Sequence, residues 1–273
     1  MGFSVVHGSP QTVWVPVLPG DTIYTGALVG WDIATPLEGV IPLAQAAGHG
    51  NTTNKDRPYG VVVGNNNVSG NVNYNSTHKA EYITEVAAGS IYGSTTKYAN
   101  VEGPWAKGDP LAMVEVALIN ANTVLSGPIY DTAAGTALAP VTVSTPSGGD
   151  GIGCTTDATT VATVANFSTI YARSGANMGV YRTLTSASTT AHVWLTAMKN
   201  DMAVGDTAVV LNGLRPNGAA KMQIDAEGMF IDCNAALTSD NFWINVLRLD
   251  LSEPGNEYCE FQFDGDNFSA LRA

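Results

Sequence analysis

The only imidazole side chains available for chemistry in this 273-residue chain are four histidines: His7, His49, His78 and His192. Two histidines four positions apart on a helix, as in His-x-x-x-His or His-Glu-x-x-His, would favour a zinc hydrolase. That spacing does not occur in the sequence. His49 and His78 fall in polar segments, so we expect both to be solvated. His192 stands beside Val193-Trp194 and is interpreted as a half-buried strand residue rather than a metal ligand.

The carboxylates offer two candidate pairs and one candidate calcium turn. Asp225 and Glu227 lie on one face of a predicted strand, and Glu257 and Glu260 lie near another. Two carboxylates close in space can cleave a glycosidic bond, but 24 acidic residues make such spacings expected by chance. Residues 264–267, Asp-Gly-Asp-Asn, lack the closing glutamate of a twelve-residue calcium loop. We therefore predict a plain turn there and no hydrolytic pair.

The sequence contains no nucleophile motif and no phosphate-binding loop. Gly-x-Ser-x-Gly, Gly-Lys-Ser/Thr and a helix-opening Gly-x-Gly-x-x-Gly are all absent. The prediction is that the chain is not an enzyme and has no catalytic residues, no cofactor and no metal.

Three cysteines, Cys154, Cys233 and Cys259, are too few and too scattered for a disulfide framework. Cys233 and Cys259 are candidates to meet across strands. Buried free thiols are nevertheless the expected state in a protein made in the cytoplasm.

Charge argues against a nucleic-acid partner. The net charge is −12, and 12 of the 24 acidic residues follow Asn200, against four basic residues there. Neutralising phosphates requires clustered Lys and Arg. No 18-residue apolar run is present and the first basic residue is Lys55, so we expect neither a membrane span nor a secretion signal.

Charged residues make up 13% of the chain, about half the usual share of roughly 25%. The polar surface must therefore come from Thr, Ser, Asn and Gly. Such a surface has few long side chains, which lose the most rotamer freedom when a contact orders them. The composition suits a protein that packs against many neighbours.

A Gly-Asp turn recurs before β-prone segments, as Gly20-Asp21, Gly108-Asp109 and Gly205-Asp206. Glycine tolerates positive φ, and the aspartate side chain can bond nearby backbone. Spacings of roughly 90 residues exceed the 20–50 residues of solenoid and propeller repeats. Recurring turns of this kind before strands are typical of small β modules.

Alternating apolar residues predict strands along most of the chain. Val13, Val15 and Val17 share a face, and Pro16 places that strand at a sheet edge. Cys259, Phe261 and Phe263 are predicted to point inward. The other predicted strands lie at residues 21–31, 39–43, 59–64, 81–86, 111–119, 161–171, 180–184, 191–198, 208–211, 221–224, 229–233 and 242–251.

Several irregular features are also predicted. Within 242–251 the apolar positions change parity, which requires a bulge or burial of both faces. Asn212-Gly213 and Asn217-Gly218 have hairpin-turn composition. Residues 65–79 are predicted to be an exposed loop, and residues 42–47 are the best candidate for a short helix.

Residues 144–151, rich in Ser, Pro and Gly, are the best candidate linker. We predict an all-β fold of two β-barrel or β-sandwich domains with long loops. An N-terminal barrel-like domain would span residues 1–145, and a C-terminal sandwich or barrel would span residues 150–273.

Two segments resemble structural proteins of tailed bacteriophages. Residues 175–185, then Val193-Trp194, then residues 203–207 are similar to a β module in which a Gly-x-x-Arg-x-Leu-x-Thr strand precedes a Thr-rich hairpin and a Gly-Asp-Thr turn. Residues 19–30 and 58–63 resemble the small β-barrels of phage head decoration proteins. The chain is longer than those small proteins.

The resemblance implies a virion protein on the outer surface of a phage capsid. Its partner would be the major capsid protein, and it would form a homotrimer that stabilises the shell by bridging coat subunits. The uncharged segment 1–19 would then either reach a coat subunit by strand addition or form the first strands of its own barrel.

Two other functions stay open on the sequence. A tail or fibre-associated protein would recognise a host glycan through exposed aromatic residues, with Trp31, Trp105 and Tyr74 as candidates. A secreted β-sandwich enzyme or carbohydrate-binding module is the third reading, and the missing secretion signal argues against it.

Overall fold

The computed structural model describes residues 2–18, 21–31, 39–43, 50–51, 54–55, 57–65, 72–84, 113–131, 133–146, 149–157, 168–188, 190–233 and 242–268. Within these ranges the regular structure is β-strand, apart from one 3₁₀ turn at Gly265–Phe268. The prediction of an all-β fold is confirmed. A search of the described residues found no helix with the length and apolarity needed to cross a membrane.

The chain divides into two compact units. Unit 1 comprises Met1–Gly127, Ile224–Phe230 and Phe263–Ala273, and unit 2 comprises Pro128–Gln223 and Ile231–Gln262. These units do not coincide with the predicted ranges 1–145 and 150–273. Residues 144–151 do not separate two domains, because they connect two strands that pair with each other inside unit 2.

Unit 1 is built from short antiparallel strands. They are β1 (Ser4–His7), β2 (Thr12–Pro16), β3 (Thr22–Tyr24), β4 (Leu28–Trp31), β5 (Val40–Pro42), β6 (Gly50–Asn51), β7 (Asn54–Lys55), β8 (Arg57–Asn65), β9 (Val72–Asn75), β10 (Ala80–Thr84) and β11 (Met113–Leu118). One sheet has the order β2-β11-β8-β4-β5, a second has the order β3-β10-β9, and β6 pairs with β7. As predicted for the Pro16 strand, β2 stands at the end of the order of the five-stranded sheet, and Val17 immediately after it forms an isolated parallel bridge to Val40 of β5.

The N-terminal segment is part of these sheets. β1 pairs with the first residues of β12 (Val124–Tyr130), and β2 pairs with β11. Phe3 is buried over Gly127, where a side chain would overlap the phenylalanine ring. The segment therefore matches the second of its two predicted roles, as strands of its own fold.

Unit 2 contains the remaining strands. They are β13 (Val141–Pro146), β14 (Gly153–Thr156), β15 (Thr169–Ala172), β16 (Tyr181–Ala187), β17 (Ala191–Trp194), β18 (Thr207–Leu211), β19 (Gly218–Met222), β20 (Ile231–Asp232), β21 (Phe242–Asp250) and β22 (Tyr258–Phe263). Six of them close a barrel in the order β13-β14-β17-β16-β15-β18. Beside the barrel lies a sheet of β12, β22, β21 and β19, and β20 pairs in parallel with β12.

The barrel closes around an apolar interior. Inward-facing side chains from alternating strand positions are joined there by two methionines from the connection after β17: Val141, Val143, Ile170, Leu184, Trp194, Met198, Met202 and Val210. The indole Nε1 of Trp194 donates a hydrogen bond of 2.7 Å to the Gly151 carbonyl. The largest interior side chain therefore has its only polar atom satisfied, as a buried tryptophan requires.

Two groups tie the barrel to the neighbouring sheet within unit 2. The Tyr181 hydroxyl donates to the Leu249 carbonyl at 2.8 Å and accepts from the Leu251 amide at 3.3 Å. The Arg173 guanidinium, after β15, forms an ion pair with Glu257, before β22. Both contacts join residues that are distant in sequence, so they depend on the completed fold.

The Gly-Asp turn at Gly205-Asp206 behaves as predicted, whereas Gly20 of the first copy lies outside the described residues. Gly205 has φ of +89°, and the Asp206 carboxylate accepts the Ala203 amide at 2.9 Å immediately before β18. Asp21 donates its amide to the Leu18 carbonyl at 3.0 Å immediately before β3. The copy at Gly108-Asp109 lies outside the described residues.

The parity change in β21 is confirmed, but it falls later than the apolar pattern indicated. Phe242, Ile244 and Val246 are buried, and Leu249 is buried after two consecutive exposed residues, Leu247 and Arg248. The prediction that Leu247 shares the inner face with Leu249 is therefore wrong. Because two consecutive residues face outward, the alternation shifts by one position, and Leu249 again points inward.

Other local predictions need correction or fall outside the described residues. The two Asn-Gly pairs do not close a hairpin, because β18 belongs to the barrel and β19 to the neighbouring sheet. The predicted loop at 65–79 contains β9. Of the candidate helix at 42–47, Pro42 lies in β5 and residues 44–47 are not described. Of the strand at 161–171, residues 161–167 are not described and the end forms β15.

Candidate functional site

The structure does not assemble a histidine site. His7 ends β1 and is exposed, and His78 lies in the turn between β9 and β10, with its ring centroid 4.6 Å from that of Tyr24. His49 lies outside the described residues. The histidines that are described belong to separate elements, so no two of them share a site.

His192 lies in β17 and is fully buried, so the half-buried prediction is wrong. Its Nε2 lies 2.9 Å from the Thr156 hydroxyl, and its Nδ1 has no hydrogen-bond partner. Burial lowers the pKa of His192 to about 4 because the charged imidazolium loses its hydration. This neutral imidazole is a core residue.

The two candidate carboxylate pairs lie in different structural settings. Asp225 and Glu227 lie in a turn rather than on a strand face: the buried Asp225 Oδ1 accepts the amides of Met229 at 2.5 Å and Phe230 at 2.7 Å. Burial raises the pKa of Asp225 to about 7, although these backbone donors act in the opposite direction. Asp225 therefore organises the turn.

Replacing Asp225 with alanine should lower the free energy of unfolding by about 2 kcal/mol, because two backbone amides lose their acceptor inside the protein. Asp225→Asn is the matched control. It keeps an oxygen in the same place and should cost less than about 1 kcal/mol. Urea unfolding of both variants checks this, and equal losses would show that the amides do not need that acceptor.

Glu257 and Glu260 do not form a pair. Glu257 is fully buried and binds Arg173, while its Oε2 accepts the Gly255 amide at 2.6 Å. Glu260 lies in β22 with its carboxylate 3.8 Å from Arg248. One carboxylate is locked in an internal ion pair and the other faces a surface arginine, so they do not flank a common cleft.

The predicted plain turn at residues 264–267 is present. Asp264 accepts the Asp266 amide on its side chain at 3.1 Å and the Asn267 amide on its carbonyl at 3.0 Å. Within the described residues no group of three or more His, Cys, Asp or Glu side chains is arranged to hold a metal ion.

The cysteines are free and buried, as predicted. Burial raises the pKa of Cys154 to about 11, and it raises the pKa values of Cys233 and Cys259 as well. Thiols kept neutral in this way are poor nucleophiles.

The aromatic candidates for glycan recognition differ in exposure. Trp31 is half-buried in β4, edge-on to Tyr59 at 5.4 Å between ring centroids. Tyr74 in β9 is 63% exposed. Trp105 lies outside the described residues, so Tyr74 is the described candidate with an accessible ring.

Three connections lie at one end of the unit 2 barrel. They comprise residues 149–152, 173–180 and 195–206. Gly153 of β14 pairs with Val193 of β17, and Ala172 of β15 pairs with Ala208 of β18. These registers place the start of β14 and of β18 beside the ends of β17 and β15, so the three connections meet at the same end.

Each of these connections exposes large apolar side chains. Met178 is 70% exposed, Leu195 is 78% exposed and Val204 is 69% exposed, and Ile152 is also exposed. We call these four residues the barrel-end surface. Accessible apolar side chains on three connections at the same end of a barrel offer a candidate contact site.

Hydrogen bonds fix the connections that carry this surface. The Asp201 carboxylate accepts the Gly151 amide at 2.8 Å, and Gly151 also accepts from Trp194. The Asn177 side chain donates to the Asn200 carbonyl at 2.8 Å. The backbone under the barrel-end surface is therefore ordered before any partner binds, which lowers the entropy cost of association.

Sequence reasoning did not identify this surface. Apolar residues within turns do not repeat with a strand period, so alternation does not reveal them. A local signal was nonetheless present: Val204 immediately precedes the third Gly-Asp turn, and Met178 lies between Gly175 and Gly179. An apolar side chain at the tip of a tight turn projects away from the core and is therefore expected to be exposed.

Unit 1 contains a groove with a volume of about 770 Å³. Its floor includes Val61, Ala117 and Thr12, which neighbour one another in register across β8, β11 and β2. One wall is formed by residues 2–5 at the start of β1, and the other by Tyr74 and residues 79–81 of the β9–β10 hairpin. The size lies within the range of ligand sites.

No protein-family model, curated protein or solved structure matches this chain.

Proposed function

We propose that this protein is a structural component of a phage virion that binds the outer surface of the capsid and stabilises it by bridging coat subunits. The observation that carries the proposal is the barrel-end surface, which presents Met178, Leu195 and Val204 on ordered connections. A partner surface that covers these side chains gains apolar burial at little ordering cost.

The composition of the chain supports a contact role. Methionine and aromatic residues are enriched in the cores of protein interfaces, whereas lysine and glutamate are depleted there. Five charged side chains lie in the three connections. Asp201 and Asp206 accept backbone amides, Asp150 accepts the Ile152 amide and Arg173 pairs with Glu257, whereas Lys199 is exposed. Four of the five charges are therefore held by bonds within unit 2, which limits the mobile charge that an interface would have to desolvate.

The proposed partner is the major capsid protein, and the proposed assembly is a homotrimer on the capsid exterior. Repetition over a shell makes modest individual contacts effective, since every copy bound to several subunits gains from its high effective concentration. The proposal includes no catalytic step, no cofactor and no metal.

Introducing charge at the barrel-end surface tests the proposal. The double variant Met178→Asp, Leu195→Asp should bind capsids that lack the protein about 100-fold more weakly, because two apolar contacts are replaced by carboxylates that must be desolvated. Co-sedimentation over a concentration series measures this affinity.

Leu247→Asp is the matched control, because Leu247 is an exposed leucine of unit 2 that lies in β21, outside the three connections. It should bind capsids as the wild type does. If the double variant keeps wild-type affinity while folding normally, the barrel-end surface is not the contact.

A further inference from the structure

The groove of unit 1 has one feature that neither the barrel-end surface nor the rest of the fold uses. The interior strands β8 and β11, whose side chains Val61 and Ala117 form its floor, have partners on both sides. Their backbone groups are therefore occupied, and these two strands contribute only aliphatic side chains to the floor, next to Thr12 of β2. β1 is different, because among the described strands it lies at the end of its sheet and pairs with β12 alone.

The direction of the β1 backbone groups follows from one hydrogen bond. The Phe3 amide points away from β12, since it donates to the Gly26 carbonyl at 2.7 Å. Ser4 and Val5 pair in regular register with Ser126 and Leu125, and backbone groups alternate between the two sides of a strand with each residue. The N–H and C=O of Val5 therefore also point away from β12. Val5 lines the groove, so these two groups lie at the groove.

The side chains around this edge indicate what fits beside it. Val63 provides an accessible aliphatic contact, since it is 48% exposed, whereas Val61 and Ala117 line the groove with only 2% of their surface exposed. The rim carries one positive and one negative side chain, Lys79 and Glu81. A ligand of small apolar side chains with no net charge is complementary to this lining.

We propose that the groove accepts an extended, uncharged peptide strand from another protein, which pairs with Val5 on the outer edge of β1 and packs a small apolar side chain on Val63. A polypeptide strand offers an N–H and a C=O that match both backbone groups of Val5 and can continue along the edge of β1. The inference does not depend on the partner of the barrel-end surface.

A 12-residue random peptide library, selected on the full-length protein, tests the proposal directly. Enriched peptides should alternate small apolar residues, carry no net charge and lack proline at their centre. Synthetic copies of the enriched peptides are then titrated by calorimetry against the wild type and three variants.

Val63→Glu places a charge in the floor and should weaken peptide binding at least tenfold. Val5→Pro removes the outward N–H without deleting a bond to β12, as edge strands permit, and should weaken binding to a similar extent. Val193→Glu is the control, because Val193 is a valine of unit 2 with a comparable exposure of 41%, and it should bind normally. Thermal melts verify folding, and Val63→Glu decides alone if Val5→Pro does not fold.

The proposal would be overturned if the selection enriched no peptide, or if every enriched peptide bound Val63→Glu as tightly as the wild type. Equal binding by a folded Val5→Pro would do the same, because backbone pairing would then play no part. A neutral oligosaccharide that binds the wild type and is lost in Val63→Glu, when no peptide behaves in this way, would reassign the groove to a glycan. The selection uses no capsid, so its outcome is separate from the test of the barrel-end surface.

Discussion

Replacing Glu257 with alanine is expected to lower the free energy of unfolding by about 3–5 kcal/mol. The variant leaves the Arg173 guanidinium, whose side chain is only 10% exposed, without its counter-charge. It also removes the acceptor of the Gly255 amide. A buried charge without a partner costs more than the ion pair contributes, since desolvation is no longer offset. Urea unfolding at neutral pH measures the loss.

The double variant Arg173→Met, Glu257→Leu is the control for this interpretation. Removing both charges eliminates the uncompensated guanidinium, so the double variant should recover most of the stability lost by Glu257→Ala. If the double variant is as unstable as the single one, the loss reflects packing around β15 and β22 rather than charge.

Acidification should destabilise the protein through His192, by about 3 kcal/mol between pH 7 and pH 4. The folded protein holds His192 neutral to a pKa of about 4, whereas an unfolded histidine takes up a proton near pH 6.5. Between these values the unfolded chain binds the additional proton, so stability falls as the pH falls. Above pH 6.5 both states are neutral and the contribution to the pH dependence disappears.

A variant without the imidazole shows whether His192 causes this pH dependence of the free energy of unfolding. His192→Gln keeps a polar group near the Thr156 hydroxyl but does not titrate. Its free energy of unfolding, measured against urea at several pH values, should decline less steeply than that of the wild type between pH 6.5 and pH 4. Comparing the two proteins cancels the contributions of the carboxylates. Parallel curves would mean that the buried imidazole is protonated without penalty.

The strands with strict alternation could be predicted from sequence because one side chain in two must enter the core. Cys259, Phe261 and Phe263 alternate with half-buried residues in β22, as the pattern indicates. Pro16 correctly marks an edge strand, since a residue without an N–H is tolerated there. The apolar pattern indicates the parity change in β21 but misplaces it, because Leu247 is apolar and yet exposed.

The division of the chain into two compact units was harder to predict from sequence, because it depends on pairing between strands that are distant in the chain. A Ser, Pro and Gly-rich segment is equally suited to a linker and to a hairpin connection, and the pairing of β13 with β14 selects the second. Unit 1 includes Ile224–Phe230, a short segment from late in the chain. Composition gives no indication of such an exchange between distant parts of a sequence.

The candidate sites depend on the same long-range contacts. The ion pair joins Arg173 and Glu257, 84 residues apart, and no sequence pattern links them. The barrel-end surface arises because the registers of six strands bring three connections together. The absence of catalytic motifs could be read from the sequence, whereas the contact surfaces required the assembled barrel.

The most direct test of the proposed function is the binding of the purified protein to capsids of its own virus that lack it. We expect saturable co-sedimentation at a fixed number of copies in multiples of three, together with a higher temperature of DNA release from filled heads. A ligand that binds only the assembled shell adds about 2.7 kcal/mol per site at a hundredfold excess over its Kd. Protein that stays in the supernatant and leaves the release temperature unchanged would contradict the account.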